Sequence, residues 1–193
     1  MKNSKLLFSL FACLSILSLL LLVTACASNK SQLNAEIDAQ GQPKWVTRGT
    51  STIRTAAGRY FRGVAYAKTG GDFSRQTSIA DNRARAELER IVSSYIEIVS
   101  RDFMASESTL LAPINHQQIM RNIEAITKQN MQGVRVDSHW QDMDADKVYA
   151  IAIIDMQHMR QRLERTPNLE PVFLDYFRTE GSKIFDRISS RSY

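Results

Sequence analysis

The side chains able to do chemistry are few and scattered. Asp142, Asp144 and Asp146 alternate as the opening ligands of an EF-hand loop do. The loop's glycine position is Lys147, however, and its closing glutamate position is Ile153, so the run reads as a solvated turn. His116, His139 and His158 never stand three or four residues apart, and metal sites need convergent ligands. Serines and threonines are plentiful, yet no Gly-x-Ser-x-Gly elbow frames one. Gly70-Gly71 lacks the Lys-Ser/Thr of a phosphate loop. The carboxylates sit among alternating charges that solvation explains. Of the two cysteines, Cys13 lies in an apolar run and Cys26 follows two small residues, Thr24 and Ala25. A thiol is the strongest nucleophile available. The sequence thus points to no catalytic residue, no metal site, no cofactor and no small-molecule substrate, and it places its one reactive atom at Cys26.

The surroundings of Cys26 say what that atom is for. Met1–Lys5 carries two lysines, and Leu6–Val23 is an 18-residue stretch without a charge. Basic residues, an apolar run and then small residues form the layout of a secretory signal peptide. An uncleaved membrane-spanning helix is the competing reading, since 18 apolar residues are just long enough to span. Val23-Thr24-Ala25-Cys26 resembles the bacterial lipobox. That resemblance implies a diacylglyceryl group on the Cys26 thiol, cleavage before Cys26 and acylation of the new amine. One acyl chain holds a protein marginally at a bilayer, and several hold it durably. Ala27 follows the cysteine where an aspartate retains such proteins at the inner membrane, so the outer membrane is expected. With Cys26 capped and Cys13 removed, no disulfide is available, and the fold rests on its core.

Composition agrees with a folded body behind that address. The chain has 193 residues, 44% hydrophobic and 23% charged, which excludes disorder and low-complexity repeats as a description of the whole. Lys2 and Lys5 leave with the signal, taking the 25 basic residues to 23 against 20 acidic ones and the net charge from +5 to +3. Charge of this size steers weakly. An arginine stripe on the longest helix, Arg83, Arg90 and Arg101, is interleaved with Glu87 and Glu97, which would repel phosphate. Nucleic acid is therefore not an expected partner.

Periodicity orders the elements. Residues 1–25 are the signal, and 26–44 a lipidated terminus and flexible linker spanning roughly 20–25 Å. Order is expected from Trp45-Val46. Thr50–Thr55 and Tyr60–Ala67 read as strands around the turn Ala57-Gly58. In the second strand, Phe61, Gly63, Ala65 and Ala67 share a face with little bulk, opposite Tyr60, Arg62, Val64 and Tyr66. Arg75–Ala105 is a helix with Ala80, Ala84, Leu88, Ile91, Tyr95, Ile98 and Val99 on one face, flanked by Val92 and Phe103. Its alanines are expected to lie on the small face of the strand. Arg83/Glu87 and Glu97/Arg101 are opposite charges four apart, each adding about 0.2–0.5 kcal/mol. Asn115 opens a second helix bearing Ile119, Ile123 and Ile126 and closed by Gly133.

Val134, Val136, Ser138 and Trp140 then alternate with Arg135, Asp137, His139 and Gln141 as a half-buried strand. Val148–Ile154 is apolar on both faces, hence a central strand antiparallel to it. Met156, Met159 and Leu163 suit a short helix ending before Pro167. The last helix, from Glu170-Pro171, gathers Phe173, Tyr176, Phe177, Ile184, Phe185 and Ile188 opposite Asp175, Arg178, Lys183 and Arg187. That apolar face packs on its own domain, docks on a neighbouring copy, or lies on the membrane. The class is α+β: a small antiparallel sheet packed by a long helix, over 45–165, with a C-terminal helical extension over 166–193.

Trp45-Val46, Gly63-Val64-Ala65, Ala80–Leu88, Trp140-Gln141-Asp142 and Val148–Ala152 together resemble the Lpp-twenty family of bacterial lipoproteins, which includes a flagellar, FlgP-like group. The resemblance covers about Trp45–Leu163. It implies a βαββ, dodecin-like module associated with the outer membrane, and no shared reaction whose residues could be carried over. The helix at Asn115–Met131 and the tail after Pro167 exceed that module. The expectation is a non-catalytic periplasm-facing lipoprotein with a structural or assembly role, in flagellar or other envelope machinery, acting through protein partners or self-assembly. The alternative is a binding module that regulates or recruits a cell-wall enzyme.

Overall fold

The computed structural model describes residues 36–190 apart from 69, 71, 108–120, 122–124, 129–130, 132–133 and 168. The elements in order are α1 (Lys44–Arg48), β1 (Ser51–Thr55), β2 (Gly58–Lys68), α2 (Phe73–Glu107), β3 (Arg135–Asp142), β4 (Lys147–Asp155), α3 (Met156–Leu163) and α4 (Pro171–Ser189). The four strands form one antiparallel sheet in the order β1-β2-β4-β3. β4, apolar on both faces, lies inside the sheet as its composition requires. The architecture is α+β, with the long helix and the C-terminal helices laid against a small sheet.

The register assigns the faces. Phe61 pairs with Ile154, Gly63 with Ala152, Ala65 with Ala150 and Ala67 with Val148. This low-relief surface carries α2, whose Ala80, Ala84, Leu88, Val92, Tyr95, Val99 and Phe103 are all buried. Small residues on both sides allow close approach, which is why the helix starts on alanines and thickens towards Tyr95 and Phe103 only beyond the strand glycine. α4 completes the layer. Its Phe185 meets Phe61 edge-on at 5.0 Å between ring centres, and Phe173 meets Phe103 at 5.4 Å. Such pairs add about 0.5–1.5 kcal/mol each beyond their buried area. Of the three positions open to the C-terminal helix, it takes the one on its own domain, with Phe173, Phe177, Ile184 and Phe185 buried. Met156, Met159 and Leu163 are likewise buried from α3, which Asp155 caps through the Gln157 amide.

Four details differ from the sequence reading. Structure begins before Trp45: Ile37 bridges Pro43, and Asp38 accepts from the amides of Gln40 and Gln42 to close a turn. On α2, Ile96 is fully buried while Ile98 is 38% exposed. The reason is a second cover on that helix: the Ser93 hydroxyl bonds Thr127, and Ile126 joins the core beside it. Arg83 does not pair with Glu87. It donates to the Tyr66 carbonyl at 2.8 Å, while Glu87 holds Arg90. Glu97–Arg101 does form.

The fourth difference is a β-bulge in β3. Val136 pairs with Ala152 and Ser138 with Ile151, so the register shifts by one residue at Asp137. Val136 therefore faces α2, and Ser138 and Trp140 face the other way. His139, expected on the polar face, points to the helix side. In the segment where a helix is expected from Asn115, Arg121, residues 125–128 and Met131 are helical and Ile126 is buried. Asn115, Ile119 and Ile123, and the apolar run Leu6–Val23 with Cys26, lie outside the described residues. Among the described residues, no helix is long and apolar enough to cross a membrane.

Candidate functional site

The sheet face turned away from α2 and α4 is covered over one half only. Ile53 and Ile151 are buried there, and Arg62 is 3% exposed. Arg62 donates from Nε to the Gly49 carbonyl at 2.9 Å and from Nη2 to the Ser51 hydroxyl at 2.6 Å. These bonds tie down the segment that leads from α1, whose Trp45 is buried. Gly49, at φ 61° and ψ −159°, takes a backbone conformation open to glycine where α1 ends and β1 begins.

Beyond that cover the face carries a strip of aromatic rings. Tyr66 of β2, Tyr149 of β4 and Trp140 of β3 are direct cross-strand neighbours. Ring centres lie 5.4 Å apart for Tyr66–Tyr149 and 5.6 Å for Trp140–Tyr149, both tilted. The bulge at Asp137 is what brings Trp140 into this row. Lys147 places its ammonium 4.6 Å above the Tyr66 ring, a cation–π contact. Tyr66 is 42% exposed, and Tyr149 and Trp140 are half-buried. Rigid rings with one polar atom each present contact area at low entropic cost, so they are favoured at interfaces. No nucleophile–base pair stands in the strip among the described residues; its geometry suits docking.

The remaining polar groups serve the fold. His139 Nε2 meets Asp81 Oδ1, joining the edge strand β3 to α2. A carboxylate-oriented imidazole is part of acyl-transfer sites. Here, among the described residues, no hydroxyl or thiol bonds the ring's other nitrogen. His158 accepts from Arg162 along α3, and His116 lies outside the described residues. Asp142 accepts from the Ala145 amide at 2.8 Å, and Asp146 takes φ 52°, so the aspartate run builds the β3–β4 turn.

A polar cleft of about 240 Å³ near α3 and α4 includes Arg59, Arg160 and Arg178. Arg59 is engaged by Asp186 through two bonds of 2.8 and 2.7 Å, and Arg178 by Glu164 and Asp175. The hydrogen bond from Arg59 holds the Asp186 carboxyl below its ordinary range against the opposing effect of burial. Tyr176 is pushed up to about 12, by burial first and then by its bond to Asp102.

Sequence reading named neither the aromatic strip nor its cation. Alternation gives Tyr66 and Trp140 each a face, but their meeting depends on a register that the bulge sets. Cys26, the one site the sequence assigns, lies outside the described residues. No protein-family model matches the chain, and no curated protein matches it.

Proposed function

We propose that this chain is a lipid-anchored protein of the bacterial outer membrane, facing the periplasm, with a non-catalytic structural or assembly role in the envelope. The address rests on Val23-Thr24-Ala25-Cys26 behind 18 uncharged residues. The resemblance to the Lpp-twenty family supports the same address and suggests a flagellar or motility-associated place. The observation that carries the role is the Tyr66–Tyr149–Trp140 strip, a partly exposed row of tilted, contacting rings on the sheet face turned away from α2. Rings kept partly in water cost hydration free energy that docking on a partner or a second copy would recover.

Two measurements test this. Mass spectrometry of the native protein should find Cys26 as the acylated first residue, and Cys26→Ala should leave an uncleaved precursor. In-cell crosslinking from position 140 should trap a discrete envelope complex that Tyr66→Ser with Tyr149→Ser abolishes. A bare Cys26 thiol removes the address; a strip that crosslinks to nothing removes the docking role. Normal swimming by a deletion strain removes the flagellar version alone.

A further inference from the structure

The outer edge of the sheet is half-closed in a way that leaves main-chain groups on offer. β1 pairs only with Gly58–Arg62 of the eleven-residue β2. Above that, Thr50 substitutes for a strand: the Val64 amide donates to its Oγ1 at 3.0 Å, and that hydroxyl donates to the Val64 carbonyl at 3.2 Å. In an antiparallel ladder, residues two apart point their amides and carbonyls to the same side. Tyr66 and Lys68 therefore face the same edge as Val64. The Tyr66 carbonyl receives Arg83 from α2. Among the described residues, the Tyr66 amide and both main-chain groups of Lys68 meet no partner on that side. An open edge of this kind is a template for another strand.

A cleft of about 900 Å³ runs along this edge, bordered by Val64–Lys68 and by Gln76, Ile79, Arg83 and Glu87 of α2. Its charged wall residues are Lys68, Arg83 and Glu87. Lys147, the cross-strand neighbour of Lys68 on β4, stands opposite Asp142 on its other side and over the Tyr66 ring, so Lys68 and Arg83 are the cations the cleft itself presents. Lys68 has no ion pair among the described residues. Arg83 is bound to a neutral carbonyl, and the one acidic wall residue, Glu87, is neutralised by Arg90 at 2.9 Å. A second copy placed edge to edge would bring Lys68 and Arg83 towards their own duplicates.

We propose that the Tyr66–Lys68 edge of β2 receives an extended acidic segment of a partner protein as an added strand. Its main chain completes the ladder at Tyr66 and Lys68, and its carboxylates sit between Lys68 and Arg83. About four residues, some 13 Å at strand rise, cover the free edge. The inference does not depend on the lipid anchor or on the aromatic strip.

The test uses the full chain in detergent micelles and a labelled heptapeptide, Thr-Glu-Val-Glu-Val-Glu-Thr. Saturable binding should slow amide exchange at Tyr66 and Lys68 at least about tenfold. A peptide N-methylated on the amides facing the edge, and one with lysine for glutamate, should each bind at least about tenfold more weakly. Lys68→Glu, an exposed substitution, should invert the preference between the acidic and basic peptides. The proposal is overturned by absent binding, by protection elsewhere, or by equal binding of the N-methylated peptide. Displacement of the heptapeptide by phosphatidylglycerol vesicles would make the edge a lipid contact instead. Edge amides already protected in a self-associating free chain would give the edge to a second copy.

Discussion

Gly63 and Ala84 touch main chain to main chain. A Cβ on Gly63 would stand 2.2 Å from the Ala84 carbonyl oxygen and 2.4 Å from the Leu88 amide nitrogen, neither of which can swing aside. The α2–β2 spacing is set at this point, and every ring further along the interface depends on it. Gly63→Ala should therefore destabilise by about 3 kcal/mol or more, above the usual cost of overpacking because the obstruction is backbone. Ala84→Leu, which pushes from the helix side, should cost about 1–3 kcal/mol. Urea unfolding of both variants checks the pair; an unchanged midpoint for Gly63→Ala would contradict the contact.

That contact was legible in the sequence, because Gly63, Ala65 and Ala67 alternate while Ala80 and Ala84 repeat at helical spacing. Complementary bulk needs no knowledge of the partner. What escaped was whatever depended on a third element. Ile96 and Ile98 differ by one helical face, and only the segment carrying Ile126 and Thr127 decides which of them is covered. Asp137 looks like any polar residue of an alternating strand. Its bulge shows only in the pairing of β3 with β4, and a chain read along its length carries no trace of that. The aromatic strip follows from the bulge and was hidden with it.

Tyr95 is the point where α2 and α4 are locked together. Its hydroxyl donates to the Gly181 carbonyl at 2.8 Å in the buried interior, and burial raises its pKa. Tyr95→Phe keeps the ring contacts with Phe61, Phe177 and Phe185 but leaves the carbonyl without that donor. The expected loss is about 1–2 kcal/mol. Chemical denaturation measures it, and a variant as stable as the parent would show that the carbonyl finds another donor.

Acid should loosen α4 first. Arg59 lowers the Asp186 pKa through its hydrogen bonds, burial opposes this, and the charges of Arg59 and Arg54 add to the lowering. A carboxyl depressed in the folded state contributes stability above its unfolded pKa, about 3.9, and loses it as pH falls through the folded value. Asp186→Asn should be less stable than the parent at pH 7 by about 1 kcal/mol, a modest figure because both groups are partly solvated. The two proteins should converge below about pH 3. Thermal melts from pH 7 to 2.5 follow the difference; a gap that persists at the acid end would assign the loss to packing.

β3 is an edge strand, and the His139–Asp81 contact ties it to α2 on the helix side of the sheet. Without that tie, the strand is held mainly by its ladder to β4, which the bulge at Asp137 already interrupts. His139→Ala should change global stability by less than about 1 kcal/mol, since both side chains are partly exposed. Local opening is another matter, because an edge strand can fray while the core stays closed. Amide exchange at Ser138–Gln141 should quicken about tenfold, with the β2–β4 ladder unchanged. Asp81→Asn should give the same pattern if the two residues act as one contact. Exchange that quickens in His139→Ala but not in Asp81→Asn would mean that the ring holds β3 by packing and that the carboxylate is incidental.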